Sequence, residues 1–153
     1  MHKQRIYIDT SVIGGCFDKE FAEWSDRLFD LVKSGKIIAI ISEVTTLEIE
    51  PAPIEIKYKL KELPAQYVEF IERTEEAEYL ASKYIENNAI SIKFQEDALH
   101  IALATINKAD VLVSWNFKHI VNLKRIHLYN SINLMNDYQQ IEIRTPREVL
   151  END

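Results

Sequence analysis

The chain has 153 residues, 46% hydrophobic and 28% charged, proportions that suit one folded domain over 1–153 with room for a sizeable core. No apolar stretch approaches bilayer-spanning length, and the N-terminus lacks a basic region followed by a long apolar one, so neither a membrane span nor a secretion signal is expected. The net charge of −7 argues against a general nucleic-acid coat protein, and the single cysteine, Cys16, read as a small packed residue, excludes an internal disulfide and fits a reducing cytoplasm.

In chain order, Ile6–Ile8 reads as a first strand that runs directly into Asp9, Thr10 and Ser11. A helix follows over Phe21–Lys33, ended by Ser34-Gly35. Ile37–Ile41 and Val111–Val113 are further short runs, apolar on both alternating faces as a strand covered on both sides requires. The stretch from Pro51 to Asn88 reads as helical throughout, broken at Pro51, Pro53 and Pro64, and predicts a helical arm over about 51–90. A helix is expected over 94–108, a weaker strand over "KRIHLYN" (124–130), and a last edge strand in "IEIRTPREV" (141–149), stopped before Pro146. This alternation predicts an α/β domain with a mostly parallel central sheet flanked by helices.

Charge is uneven along the chain. Six carboxylates between Glu69 and Glu86 face only Arg73 and Lys83, whereas Lys108, Lys118, Lys124 and Arg125 collect near His119 and His127 against a single Asp110. Such a basic strip suits a phosphate chain, and equally suits a plain solvated face.

Ligands of parallel α/β sheets sit beyond the carboxyl ends of the strands. Asp9, then Ser42 and Glu43 with Glu48 a turn later, then Ser114, Trp115 and Asn116 all follow strands. Asp110 precedes its strand and belongs at the opposite edge. Asp9 also suits a helix cap. Glu43, Glu48 and Glu50 lie at comparable angles, and periodicity does not choose among them. In "FQEDALHIALATINK", Ala98, Leu99, Ala102, Leu103 and Ile106 form one apolar face, and Asp97, His100, Ile101 and Ala104 lie opposite. After its first turn this helix is apolar nearly all round and should be buried. Asp97 then needs a cation, donors or a metal, unless it only charges the first turn, and His100 reads as a hydrogen-bonded core histidine. Two or three carboxylates gathered at one sheet edge repel unless a divalent cation lies between them, and Mg²⁺ or Mn²⁺ suits oxygen ligands. No cysteine pair or HExxH supports zinc, and no GxGxxG or GxxxxGK[ST] supports a nucleotide-binding loop. A metal so held suits phosphodiester hydrolysis, orienting a water and stabilising charge on the phosphate.

Four motifs in order, "YIDTSV", "ISEVTTLEIE", "DALHIALA" and "ADVLVSWNFKHI", carry a resemblance over nearly the whole chain. The sequence resembles a PIN-domain ribonuclease, most of all the VapC-type toxins of type II toxin–antitoxin pairs. The resemblance implies a three-layer α/β/α fold and endonucleolytic RNA cleavage with Mg²⁺ or Mn²⁺. It implies that Asp9, Glu48 and Asp97 hold the metal, and it is the resemblance that selects Glu48 over Glu43 and Glu50. The fourth acidic position of many PIN domains falls on Asn116, which carries no charge and puts a second metal in question. Ser114 matches a hydroxyl that orients water, with Thr10 and Ser11 beside it, and Lys118 and His119 are placed to meet substrate phosphate. An antitoxin protein and a homodimer are the implied partners.

Two other readings stand beside this one. A PIN fold that binds RNA or protein without cutting is supported by Asn116 and the acidic charge. A phosphatase of the haloacid-dehalogenase kind also begins with strand then Asp, but it requires a second Asp where Ser11 stands.

Overall fold

The computed structural model describes residues 2–151. Its elements in chain order are β1 (Arg5–Ile8), α1 (Thr10–Gly15), α2 (Ala22–Lys33), β2 (Ile38–Ser42), α3 (Glu43–Glu48), α4 (Ile54–Lys61), β3 (Val68–Ile71) and α5 (Glu75–Glu86). Then come α6 (Gln95–Ile106), β4 (Val111–Val113), α7 (Leu123–Met135), β5 (Ile143–Arg144) and α8 (Pro146–Glu151). The five strands form one sheet in the order β3-β2-β1-β4-β5, every pair parallel.

Alternation within the strands divides the core into two layers. Ile6, Ile8, Ala39, Ile41, Val111 and Val113 pack on one face with Leu28, Phe29 and Val32 of α2 and Leu150 of α8. Tyr7, Ile40 and Leu112 point to the other face, against Leu80 and Tyr84 of α5, Leu99 and Leu103 of α6, and Tyr129 of α7. Both faces are covered, which is why these strands read as continuous apolar runs. α6 is buried from Ala98 to Thr105, as its nearly uniform apolarity predicts. Gly35, at φ +75°, closes α2 in the left-handed conformation that costs glycine least.

Two expectations need correction, and the last edge strand is present but short. The stretch 51–88 is not wholly helical: Val68–Ile71 is the edge strand β3, registered on β2 from Ala39↔Val68 to Ser42↔Ile71. Pro64 ends the preceding helical turn, and the aromatic and β-branched residues of "YVEFI" take the pleat offered by β2. "KRIHLYN" is not a strand but the first half of α7, because Asn122 caps it by accepting from the Arg125 N–H at 3.2 Å, and Tyr129 and Ile132 bury its inner stripe. The last edge strand is only Ile143–Arg144. Pro146 starts α8, where its missing N–H costs nothing. No helix among the described residues is long and apolar enough to cross a membrane.

Candidate active site

From β1 the chain proceeds through β2 to β3 on one side, and β4 with β5 lies on the other. The strand order therefore reverses between β1 and β4, where diverging connections leave a crevice beyond the carboxyl ends. Asp9 ends β1 and Ser114 ends β4, and the two side chains meet there.

Asp9 is 3% exposed and does two jobs with its two oxygens. Oδ1 accepts from the Val12 N–H at 3.2 Å, capping α1, and from Ser11 Oγ at 2.7 Å. Oδ2 accepts from Ser114 Oγ at 2.6 Å. Burial raises its pKa, against the pull of His100 and of these donors. The Ser11 hydroxyl also accepts from Trp115 N at 2.8 Å, and Ser114 Oγ from Asn116 N at 2.9 Å, so one hydroxyl network ties the β1 end to the β4 end.

The three glutamates of "EVTTLEIE" separate in space. Glu43 accepts from the Arg73 backbone N–H at 2.9 Å, and Glu50 is exposed. Glu48 turns inward: its Oε1 accepts from Thr10 Oγ1 at 2.6 Å and pairs with His100 Nε2 at 2.6 Å. Burial works against the Glu48 charge, but the His100 and Thr10 bonds outweigh it and its pKa is lowered.

His100 is 2% exposed and reaches a partner with each ring nitrogen. Tyr7 Oη donates to Ser42 Oγ at 2.7 Å, and that oxygen also accepts from Thr45 N. Tyr7 Oη also lies 2.7 Å from His100 Nδ1. Nε2 pairs with Glu48 Oε1, a contact that favours the protonated ring. Burial opposes this, yet Glu48 and the charges of Asp9 and Asp97 raise its pKa overall. His100 thus compensates the carboxylates while remaining the packed core histidine that its position suggests. Tyr7 belongs to this network although sequence reasoning does not single it out, whereas strand direction already puts Ser42 at this edge. A tyrosine hydroxyl inside a strand covered on both faces must find a partner, and that is the available signal.

Asp97, half-buried in the first turn of α6, accepts from Asn116 Nδ2 at 3.2 Å, and burial raises its pKa despite His100 and His119. The Asn116 side-chain oxygen accepts from the N–H groups of Lys118 and His119, closing a tight turn. Lys118 is exposed. His119 is 6% exposed, its ring 3.8 Å from that of Phe94 and its Nδ1 buried without a hydrogen-bond partner. Asp110 lies at the far edge, accepting from Arg5 N at 2.7 Å.

Residues 5–118 match the sequence profile of the PIN domain. The chain belongs to the PIN-domain family. No curated protein sequence matches it. Among solved structures, it is similar to VapBC2 from Rickettsia felis bound to a DNA fragment from their promoter, with a TM-score of 0.58 at 14% identity over 93% of this chain and 98% of that one. FitAcB from Neisseria gonorrhoeae gives 0.58 at 14% identity, over 92% of this chain and 97% of that one. The sarcin-ricin-loop-cleaving toxin VapC20 of Mycobacterium tuberculosis gives 0.56 at 13%, over 74% and 92%. The fold of this PIN domain is therefore VapC-like.

Among the described residues of this PIN domain, no three His, Cys, Asp or Glu side chains converge closely enough to form a ready metal group. The donor chemistry nevertheless fits a hard divalent cation. Asp9 and Asp97 are carboxylates whose burial leaves them wanting positive charge, and Mg²⁺ typically takes one or two carboxylates and completes its shell with water.

Proposed function

We propose that this PIN domain is a Mg²⁺- or Mn²⁺-dependent endoribonuclease and the toxin of a toxin–antitoxin pair. The observation that carries the reading is that buried Asp9, His100-tethered Glu48 and half-buried Asp97 all stand at the carboxyl end of the sheet, tied into one network through Thr10, Ser114 and Asn116. Asp9, Asp97 and Glu48 would hold the cation. When bound, it would orient a water toward phosphorus and stabilise the charge that develops on the phosphate oxygens. The chain's own groups do the rest. Ser11, Ser114 and Thr10 fix the carboxylates by hydroxyl donation, and the His100 ring holds Glu48 in one orientation. Lys118, exposed on the turn after Asn116, is placed to meet a non-bridging oxygen. Thr10 and Ser11, on the first turn of α1, complete the proposed substrate contacts, whereas His119, 6% exposed and packed against Phe94, is too buried for the phosphate contact that the sequence suggests. Asn116 supplies no charge, so the site is read as holding one cation.

The family membership supports nuclease chemistry, and the neighbours named as VapBC and FitAB complexes support an antitoxin partner. A homodimer acting in the cytoplasm completes the proposal. The rival reading, a fold that binds RNA without cutting it, is favoured by the commitment of Asn116 to its own turn. Incubating the purified protein with total RNA in Mg²⁺, Mn²⁺ or EDTA distinguishes the two. Cleavage should require the metal and disappear in Asp9→Asn and Asp97→Asn. Undiminished cutting by both variants would refute the assignment of these residues.

A further inference from the structure

The loop that leaves β4 serves two places at once. Ser114 and Asn116 turn to the carboxylates, while Trp115 and Phe117 turn away to a cleft of about 420 Å³ beyond the ends of β4 and β5. Phe21, Trp24, Trp115 and Phe117 supply its aromatic surfaces, and Arg147 and Thr145 stand on its α8 side. Phe21 and Trp115 stack at 4.2 Å and 17°, and Phe117 inclines over both at about 6 Å with 52% of its surface exposed. The platform is built to stay. The Trp115 indole donates to Ser25 Oγ at 2.9 Å, and Gly15 makes room for it, since a Cβ there would lie 2.7 Å from both Ser25 Oγ and the indole nitrogen. The guanidinium groups of Arg27 and Arg147 lie 4.9 and 5.3 Å from the Trp24 ring. Arg147 also pairs with Glu151, and Glu20 and Glu148 line the cleft, so its rim carries both signs of charge.

We infer that this cleft is a nucleobase subsite: it takes an unpaired base of the RNA strand whose phosphate lies at the carboxylates. The inference rests on the ribonuclease reading for its substrate. Three features favour a base over other occupants. Flat aromatic faces receive any base by stacking, because every base has a π-face. A volume of this order suits a small planar ligand. The shared 114–117 segment lets one strand reach both places, and an uncharged base suits a rim where Glu20 and Glu148 stand beside Arg147.

The chain's only two tryptophans, Trp24 and Trp115, both line this cleft, so its intrinsic fluorescence reports on it directly. The full-length protein, held in EDTA so that no cleavage occurs, is titrated with each of the four nucleoside 5′-monophosphates and with ribose 5-phosphate. Saturable quenching by at least one nucleotide, none by ribose 5-phosphate, and about tenfold weaker binding by Phe117→Ala are expected. That variant alters a half-exposed ring, and an unchanged melting temperature confirms that it folds. In the RNA assay, Phe117→Ala should raise KM more than it lowers kcat. The inference is overturned by the absence of nucleotide quenching, or by equal quenching with ribose 5-phosphate. It is overturned too if Phe117→Ala binds unchanged, or if the fluorescence changes only with protein concentration, which marks a second copy in the cleft. Because this titration needs neither metal nor catalysis, its failure is separable from failure of the ribonuclease reading.

Discussion

Asp9 caps a helix and, on the proposed reading, also holds the cation. Its Oδ1 caps α1, and its buried, pKa-raised carboxyl faces the crevice. Asparagine caps a helix as well as aspartate does, so Asp9→Asn should fold with stability changed by no more than about 1 kcal/mol while losing metal-dependent cleavage. Urea unfolding beside the RNA assay checks both halves. His100 is the converse case, a residue whose role lies in what it holds. His100→Gln cannot reach Tyr7 Oη and Glu48 from opposite sides of a ring. We expect roughly 1–3 kcal/mol of lost stability and a 10- to 100-fold loss of metal affinity or activity, with the fold retained. A variant that cuts RNA as fast as the wild type would show that Glu48 needs no tether.

At the scale of elements, the edge strand β3 is fastened by more than its ladder to β2. Arg5, at the start of β1, reaches across β2 to grip Glu69 of β3 through Nε at 2.9 Å and Nη2 at 2.7 Å, and its Nη1 caps the end of α6 through the carbonyls of Asn107 and Lys108. The hydrogen bonds from Arg5 are the main cause that holds the Glu69 pKa below its ordinary 4.5, with burial opposing. A depressed carboxylate contributes stability that is present above its unfolded value and lost as pH falls through its folded value. Arg5→Met should therefore cost stability at neutral pH, and the gap to wild type should narrow as pH drops below 4.5. Part of the gap should persist, because the carbonyl bonds do not titrate. Thermal unfolding across that range tests this, and a constant gap would mean that the Glu69 bridge contributes nothing.

The whole molecule concentrates acidic groups at the crevice of a chain that already carries a net charge of −7. A cation that binds only the folded state stabilises it by mass action. Adding Mn²⁺ should raise the melting temperature of the wild type by several degrees, and this rise should shrink in Asp97→Asn and vanish in the Asp9→Asn/Asp97→Asn double variant. An equal rise in all three would place the cation elsewhere on the surface.

Much of this arrangement is legible in the order of residues alone. The apolar runs around Ile6, Ile40 and Leu112 mark buried parallel strands because a strand covered on both faces has no polar side to show. Strand direction by itself separates Asp9 and Asn116 from Asp110. β3 is hidden because Val68–Ile71 pairs on one edge only, and its half-exposed residues carry no such mark. α7 resembles a strand locally because Asn122, the cap that starts it, lies just outside the "KRIHLYN" window. Periodicity leaves Glu43, Glu48 and Glu50 equivalent. Only the packing of α3 against α6 brings Glu48 onto His100 and gives Glu43 to the Arg73 backbone. Local sequence determines which residues are buried and which end of each strand they follow, since those depend on hydrophobicity and chain direction. Which carboxylates share a centre, and which aromatic rings gather into one cleft, depends on contacts between residues a hundred positions apart, and those exist only once the sheet is assembled.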